Sequence, residues 1–254
     1  MSDLYANPKY YEIAFSFRDI AKEADVLQKC ISMYSKIPVN TVLEIGCGNS
    51  PHINELLERG YYYSGIDLSR EMLEFSKSKV KPELLKKTTF IHADMNKFKL
   101  KTKTDFAFIM LGSLYAGNTT ELQSHFKCIA DSLKSGGLYF LDWCVNFSPL
   151  VEISESWTSE KGNISVKTKF TIKMINPVEQ LYEEHITLNI IDNGKKIRLS
   201  SKEIKRAIYP QEFLCIIKSL NLFEFIGWWN DWDLEQELGK TKDINRPIII
   251  LRRK

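Results

Sequence analysis

Between residues 41 and 141, short apolar runs alternate with helical patterns, and this alternation restricts the fold more than any other feature of the chain. Thr41 to Ile45, Tyr61 to Ile66, Thr89 to His92, Phe106 to Leu111 and Leu138 to Leu141 each have the length and composition of a strand. Helical signals stand between them. Ser50 is placed to cap a helix that starts at Pro51 and closes at Gly60, and Ser69 is placed to cap one that carries Met72, Phe75 and Val80. Thr120-Glu121-Leu122-Gln123 has the form of a capping box. It precedes Leu122, Phe126, Ile129 and Leu133 on one helical face, with Gly136-Gly137 as the stop. Ahead of the first strand, Ile20, Ala24, Leu27, Ile31 and Tyr34 mark another amphipathic helix. Strand and helix alternating in this way predict an α/β fold, a doubly wound and mostly parallel sheet with helices on both faces.

From about residue 155 the period changes to two. Ile164, Val166, Thr168, Phe170, Ile172 and Met174 alternate with Ser165, Lys167, Lys169, Thr171 and Lys173, the pattern of a strand with one wet face. Tyr182, Ile186, Leu188 and Ile190 continue it, and Asp192-Asn193-Gly194 supplies a hairpin turn before Ile197 and Leu199. The doubly wound pattern resumes with a helix opening at Pro210 and two strands, Phe223 to Trp229 and Pro247 to Leu251. No long helical pattern joins these two, so the expected seven-stranded sheet ends in an antiparallel hairpin. The expected organisation is one domain from residues 1–146 and 208–254, with 147–207 as an antiparallel β insertion that caps its cleft and offers a contact for a homodimer.

Charge and cysteines narrow the function classes. A formal charge of +3 is too small for a dedicated nucleic-acid binder. The longest apolar run, Phe106 to Leu111, falls far short of the roughly 20 residues that span a bilayer, and MSDLYANPKYYE lacks the apolar core of a signal peptide. Five cysteines without C-x-x-C spacing suit a reducing compartment. A cytoplasmic protein without membrane or nucleic-acid partners is expected.

The chemistry begins at EIGCGNS, residues 44–50. A strand ending in Gly-x-Gly ahead of a helix lets a ligand approach the backbone, with bare N–H groups and the helix dipole facing it. Asp67, in GIDLS, follows at about the 20-residue spacing of a ribose-binding acid. The third glycine of the dinucleotide fingerprint is missing, with Pro51 in its place, and Glu44 beside the loop favours a cationic ligand over a pyrophosphate.

With these motifs and Asp94 in HADM, the sequence resembles the class I S-adenosylmethionine-dependent methyltransferases over residues 41 to 142 and about 210 to 254. It departs from that family at Ser50, where a third glycine is frequent. The long insertion resembles small-molecule types, sugar-amine and antibiotic N-methyltransferases among them. The resemblance implies S-adenosyl-L-methionine as cofactor: Gly46, Cys47 and Gly48 on its methionine part, with Glu44 beside them, and Asp67 on the ribose. Leu68 and Met72 then line the adenine, Asp94 accepts from its amino group and Met95 packs on its ring. Leu111, Gly112 and Ser113 lie beside the sulfonium, and Tyr10 and Tyr11 form an aromatic lid ahead of the first helix.

Methyl transfer from a sulfonium needs alignment and desolvation more than a fixed base. Tyr11, Tyr115, His125 and Asp142 are the candidates for any proton transfer, although His125, on the flank of an apolar stripe, suits packing as well. Trp143, where the chain leaves for the insertion, and Arg206 and Tyr209, where it returns, are candidates for a small-molecule acceptor. Cys47 reads as a small filler, and the indoles of WWNDWDL (228–234) as packing or as a wall for a cation. Two alternatives stay open: a cofactor-binding module without turnover, and a methyltransferase acting on a macromolecule. LGSLYAG in place of an N/D-P-P-Y tetrapeptide argues against amino groups on nucleic acid or protein glutamine.

Overall fold

The computed structural model describes residues 3–149, 152–239 and 243–254. Two short sequences precede the sheet, α1 (Pro8–Ala14) and α2 (Ile20–Tyr34). The chain then runs β1 (Thr41–Ile45), α3 (Ile53–Glu58), β2 (Tyr62–Asp67), α4 (Arg70–Ser78), β3 (Thr88–His92), β4 (Thr104–Ile109), α5 (Thr119–Ser132) and β5 (Leu133–Asp142). Four antiparallel strands follow: β6 (Ile153–Lys161), β7 (Ile164–Asn176), β8 (Leu181–Asp192) and β9 (Lys195–Arg206). Helix α6 (Pro210–Leu220) and strands β10 (Phe223–Trp229) and β11 (Ile248–Arg253) close the chain.

The main sheet has seven strands in the order β10-β11-β5-β4-β1-β2-β3, parallel except that β11 lies antiparallel between β10 and β5. Strand β4 (TDFAFI) is buried at every position, which is why it reads as a continuous apolar run: helices cover both faces of the sheet. One core, around Phe126, Tyr139 and Phe213, lies under α5 and α6. The other, around Tyr63, Phe106, Phe108 and Phe140, lies under α2 and α3.

The insertion sheet, β6-β7-β8-β9, does not lie directly on the main sheet's helices. Its apolar face, Val166, Ile186, Leu188, Ile190 and Leu199, packs against Leu4, Ile13 and Ala14. Trp157 of β6 donates its indole N–H to the Ala14 carbonyl at 2.7 Å, and Tyr10 donates to Asp192 at 2.8 Å. Helix α1 is therefore sandwiched by the insertion, and it carries Tyr10 and Tyr11 within it rather than ahead of the first helix.

Three local expectations differ from the structure. Ser50 does not cap α3, which starts only at Ile53; its φ of 41° turns the chain, and its hydroxyl lies 2.6 Å from that of Tyr63. Helix α5 is capped two residues earlier than the Thr120 box, at Asn118. Asn118 accepts the Glu121 N–H at 2.9 Å, and Glu121 reciprocates by accepting from the Asn118 amide at 2.9 Å. Gly136-Gly137 do not end the helix but lie inside β5. A Cβ on Gly137 would sit 2.4 Å from the Asp105 carbonyl oxygen, so glycine is what lets β5 close on β4.

Candidate functional site

The sheet order reverses direction between β1 and β4, and a cleft of about 340 Å³ opens there at the carboxyl ends of the strands. Glu44, Gly46, Cys47 and Gly48 line one side, Met110, Leu111 and Ser113 the other, and Tyr11 and Glu12 of α1 with Phe15 just past its end form the roof. Lys79 and Glu12, which meet at 2.6 Å, join the end of α4 to that roof. The structure thus brings together the expected Glu44, Gly46, Cys47, Gly48, Leu111, Ser113 and Tyr11, leaves Asp67, Gly112 and Tyr10 outside the lining, and adds Arg18, Asn49 and Asn54, which no motif marks.

The glycine loop is held from outside itself. Asp67 accepts the Gly48 N–H at 2.7 Å and the Ser69 N–H at 2.8 Å, so one carboxylate at the tip of β2 ties the loop to the start of α4. Burial pushes its carboxyl above the usual carboxylate range in spite of these donors. The Cys47 N–H is spent on the Ile66 carbonyl at 2.9 Å and that of Ser50 on Cys47 at 2.7 Å. The expectation of bare amides in this loop therefore fails at Cys47, Gly48 and Ser50. What the loop offers instead is shape: Gly46, at a φ of 60°, could not carry a Cβ without bringing it to 3.1 Å from Met95 Cε. Leu68, Met72 and Asp94 do not border the cleft; Leu68 and Asp94 are exposed and Met72 is buried. Asp94 accepts the Asn96 N–H at 2.8 Å, and Met95 lies against Gly46.

Below the loop runs a buried ionic network. Glu44 accepts the Tyr63 hydroxyl and lies 3.6 Å from His52 Nδ1, and the far nitrogen of His52 is 2.8 Å from Glu23. Glu23 also pairs with Arg18 and with Arg246, the latter at 2.9 Å. Burial disfavours the His52 cation, but the flanking Glu23 and Glu44 outweigh it and raise its pKa above the ordinary histidine value. Burial likewise works against the Glu23 carboxylate, and His52 with the two guanidiniums overcomes it, holding the group well below the usual range. Glu44 thus borders the cleft as a charge already shared inside the protein.

Asp142 belongs to the same network and is no base. Fully buried, it accepts from Arg246 at 2.6 and 2.9 Å, from the Trp232 indole at 3.0 Å and from the Leu111 N–H at 2.8 Å. The last bond fixes Leu111 at a φ of 51°, a left-handed conformation that costs a leucine on the order of 1–3 kcal/mol and that the surrounding structure imposes. Arg246 stacks over Trp232 at 4.6 Å, so the WWNDWDL indole that meets a cation meets the protein's own. Trp228 packs on Phe147 and Phe225.

His125 is placed in the core, away from the cleft. Its ring nitrogens lie 3.0 Å from the Met95 carbonyl and 2.8 Å from the Tyr139 hydroxyl, and burial pushes its pKa down to about 4. Tyr11 and Tyr115 are pushed above the ordinary tyrosine value, chiefly by burial, and keep their protons. Tyr115 belongs to a second cluster. Its hydroxyl donates to Glu184 of β8 at 3.1 Å, while Lys205 of β9 reaches Glu184 at 2.7 Å, the Gly112 carbonyl at 3.3 Å and the Tyr115 ring face at 3.9 Å. A buried lysine thereby ties the insertion to the turn after β4. No sequence signal marks Lys205 or Glu184 beyond inward positions on alternating strands.

Among the acceptor candidates, Trp143 is half exposed at a φ of 58°, and Tyr209 stands at the N-terminus of α6. Arg206 pairs with Glu212 and leaves its second terminal nitrogen buried without a partner. None of the three borders the cleft.

A family model described as a methyltransferase domain matches residues 42–137. This stretch carries β1 to β4, the glycine loop and the first half of β5. Over this stretch the chain is similar to a methyltransferase domain. Its fold is also that of the amino pentose methyltransferase CalS10 from Micromonospora echinaspora, solved with bound S-adenosylmethionine: TM-score 0.74, 14% identity, 96% of each chain covered. The sugar N-methyltransferase KedS8 from Streptoalloteichus sp. ATCC 53650 is similar at TM-score 0.75 and 17% identity, over 100% of this chain and 94% of that one. A protein of Geobacillus sp. (strain WCH70) that carries the name of a methyltransferase is 25% identical over 140 residues. That match spans 52% of this chain and 56% of the relative, so about half the length of the curated relative is covered.

Proposed function

We propose that the protein transfers a methyl group from S-adenosyl-L-methionine to the nitrogen of a small-molecule amine. One observation carries the choice of nucleophile: of the candidate bases, none is free to take a proton. Tyr11 and Tyr115 have raised pKa values, His125 is sealed into the core with both nitrogens engaged, and Asp142 is neutralised by Arg246. A hydroxyl or carbon acid would need such a base before it could attack, whereas an unprotonated amine brings its own lone pair. The solved amino pentose methyltransferase CalS10 and sugar N-methyltransferase KedS8, which share the fold, support this reading.

The cleft suits the cofactor by two features of its own. Its volume of about 340 Å³ lies within the range of small-molecule sites, and it is bordered by a cation, Arg18, and by Asn54, whose amide oxygen is buried without a partner. When bound, the cofactor supplies an already activated methyl carbon. Arg18 would hold its carboxylate, and the resemblance assigns the ribose hydroxyls to Asp67 and the adenine edge to Asp94, at strand ends outside the cleft's own lining. Glu44, at the cleft wall, favours the positive sulfonium. Leu111, pinned by Asp142, and Ser113 fix the floor on which donor and acceptor are aligned, and the aromatic roof of Tyr11 and Phe15 excludes water. Trp143, Arg206 and Tyr209 are proposed for the outer parts of the acceptor.

The test is S-adenosylhomocysteine formation across a panel of primary and secondary amines, phenols and enols. Amines are expected to turn over, with a rate that rises as pH approaches the pKa of each amine. Turnover confined to phenols or enols would overturn the choice of nitrogen, and tight cofactor binding without turnover on any acceptor would favour a non-catalytic module.

A further inference from the structure

The outer face of the insertion sheet concentrates charge to an unusual degree. Registers across β6 to β9 place Lys167, Lys169, Lys173, Lys196, Arg198 and Lys202 on this one face, against Glu160 and Glu183. Four net positive charges on a single sheet face exceed the +3 of the whole chain. Lys202 is paired with Glu183 at 2.7 Å, whereas Lys169 and Arg198 have no ion-pair or hydrogen-bond partner among the described residues.

These two free cations border a depression of about 160 Å³, whose other walls are Thr171, His185 and Thr187. In register, Lys169 faces Thr187 and Thr171 faces His185. Thr187 is only 6% exposed, and its hydroxyl lies 3.3 Å from His185 Nε2. The depression therefore presents an imidazole, an ammonium, a guanidinium and two hydroxyls, that of Thr171 held only by a 3.5 Å contact to the His185 carbonyl, and its lining includes no carboxylate. At about 30 Å³ per water it holds about five waters, or one tetrahedral oxyanion with its first waters. Two unpaired cations beside clustered hydroxyl donors match the geometry and charge of a phosphoryl group.

We infer that this depression is a binding site for a phosphate-type oxyanion, separate from the methyl-transfer cleft and independent of the reading of that cleft. The sheet itself divides the two. Strand β8 presents His185 and Thr187 outward, while Glu184, which precedes His185, points inward to Lys205 and Tyr115. The ligand is inorganic phosphate or pyrophosphate, or the same group carried by a nucleoside diphosphate.

Titration calorimetry on the full chain with inorganic phosphate, pyrophosphate and ADP tests the inference. Lys169→Ala/Arg198→Ala is expected to weaken pyrophosphate binding by at least about tenfold, because two charge-assisted contacts are lost. The hydroxyl-deleting Thr187→Val, nearly equal in volume, should weaken it severalfold with the fold intact. Lys167→Ala/Lys196→Ala, which removes the same charge elsewhere on the face, should change it less than about twofold. Equal affinity for ADP and pyrophosphate would assign the site to the phosphoryl group alone. Tighter ADP binding, lost equally in the first variant, would assign it to a nucleotide. No binding to the wild-type chain, or equal losses in the two double variants, would overturn the inference.

Discussion

The joint between the insertion and the cleft can be tested by removing one buried charge. Lys205 is 2% exposed, and the Glu184 side chain it meets at 2.7 Å is 11% exposed. Lys205→Met keeps most of the side-chain volume but leaves Glu184 with the Tyr115 hydroxyl as its remaining hydrogen-bond partner among the described residues. Breaking a buried pair from one side costs about 3–5 kcal/mol, and the surviving Tyr115 bond places this case near 3 kcal/mol. Glu184→Leu should cost a similar amount, since it strands the ammonium against the Gly112 carbonyl and an aromatic face. Lys205→Met/Glu184→Leu removes both charges together and should cost only about 1 kcal/mol, because apolar replacement of a whole buried pair is often close to neutral. Urea midpoints read the cycle directly. In thermal unfolding each single variant should lose roughly 6–12 °C for a chain of this size. The pH dependence provides a second check. The neighbouring carboxylate outweighs burial and raises the Lys205 pKa. Its contribution is therefore complete below the ordinary lysine value of 10.5 and is lost as pH rises through the higher folded value. Wild type and double variant should accordingly converge only in strong alkali. A Lys205→Met protein within about 0.5 kcal/mol of wild type, or strictly additive single variants, would refute the joint.

Asp67→Ala removes the acceptor of both the Gly48 and Ser69 amides and should weaken S-adenosylhomocysteine binding at least about tenfold by calorimetry, where unchanged affinity would count against the site. Arg18→Ala should weaken the same ligand about tenfold while leaving affinity for 5′-methylthioadenosine, which lacks the carboxylate, nearly unchanged; a parallel loss for both ligands would reject Arg18 as the carboxylate's partner. His125 is depressed to about 4, so the native state resists its protonation and stability is lost as pH falls from the ordinary value of 6.5 through that range. The loss amounts to roughly 3 kcal/mol and should be absent from the pH profile of His125→Gln, whose methyl-transfer rate should stay within a few-fold of wild type; a rate collapse with an unchanged stability profile would restore a catalytic role.

What could be read from the sequence was what local periodicity and short motifs encode. The alternating strands, the antiparallel insertion and its Asn193-Gly194 turn follow from side-chain pattern and backbone preference over a few residues, and all three are present in the structure. Capping failed where two solutions lay close together: Asn118 and Thr120 both precede Glu121 or Gln123 suitably, and only the packing of α5 chooses between them. The glycine pair at 136–137 failed for a related reason, because a close approach of two strands and a helix stop demand the same residue. The ionic network was illegible on other grounds. Asp142 and Arg246 lie 104 residues apart, and Arg246 and Glu23 lie 223 apart, so nothing in either neighbourhood announces the partner.

This network also explains why the strand-end acids could not be ranked by motif alone. A buried carboxylate persists only where other groups compensate its charge, and the compensation decides its role. Asp142 is compensated completely by Arg246 and becomes a post that fixes Leu111. Asp67 is compensated only by two amides, so its oxygens retain capacity for further donors. Glu44 stands between them, sharing its charge with His52 and Tyr63 while still facing the cleft. Replacing His52 with Asn would remove the imidazole that links Glu44 to Glu23, whose protonated form the two carboxylates favour. Two carboxylates in one network would then lose a shared partner able to carry positive charge, and the floor of the cleft would become more negative. A sulfonium ligand should then be favoured relative to its neutral thioether product. The ratio of S-adenosylmethionine to S-adenosylhomocysteine affinity, measured by calorimetry on His52→Asn, should rise several-fold if Glu44 senses the ligand's charge; a fall in that ratio would show that Glu44 serves only the internal network.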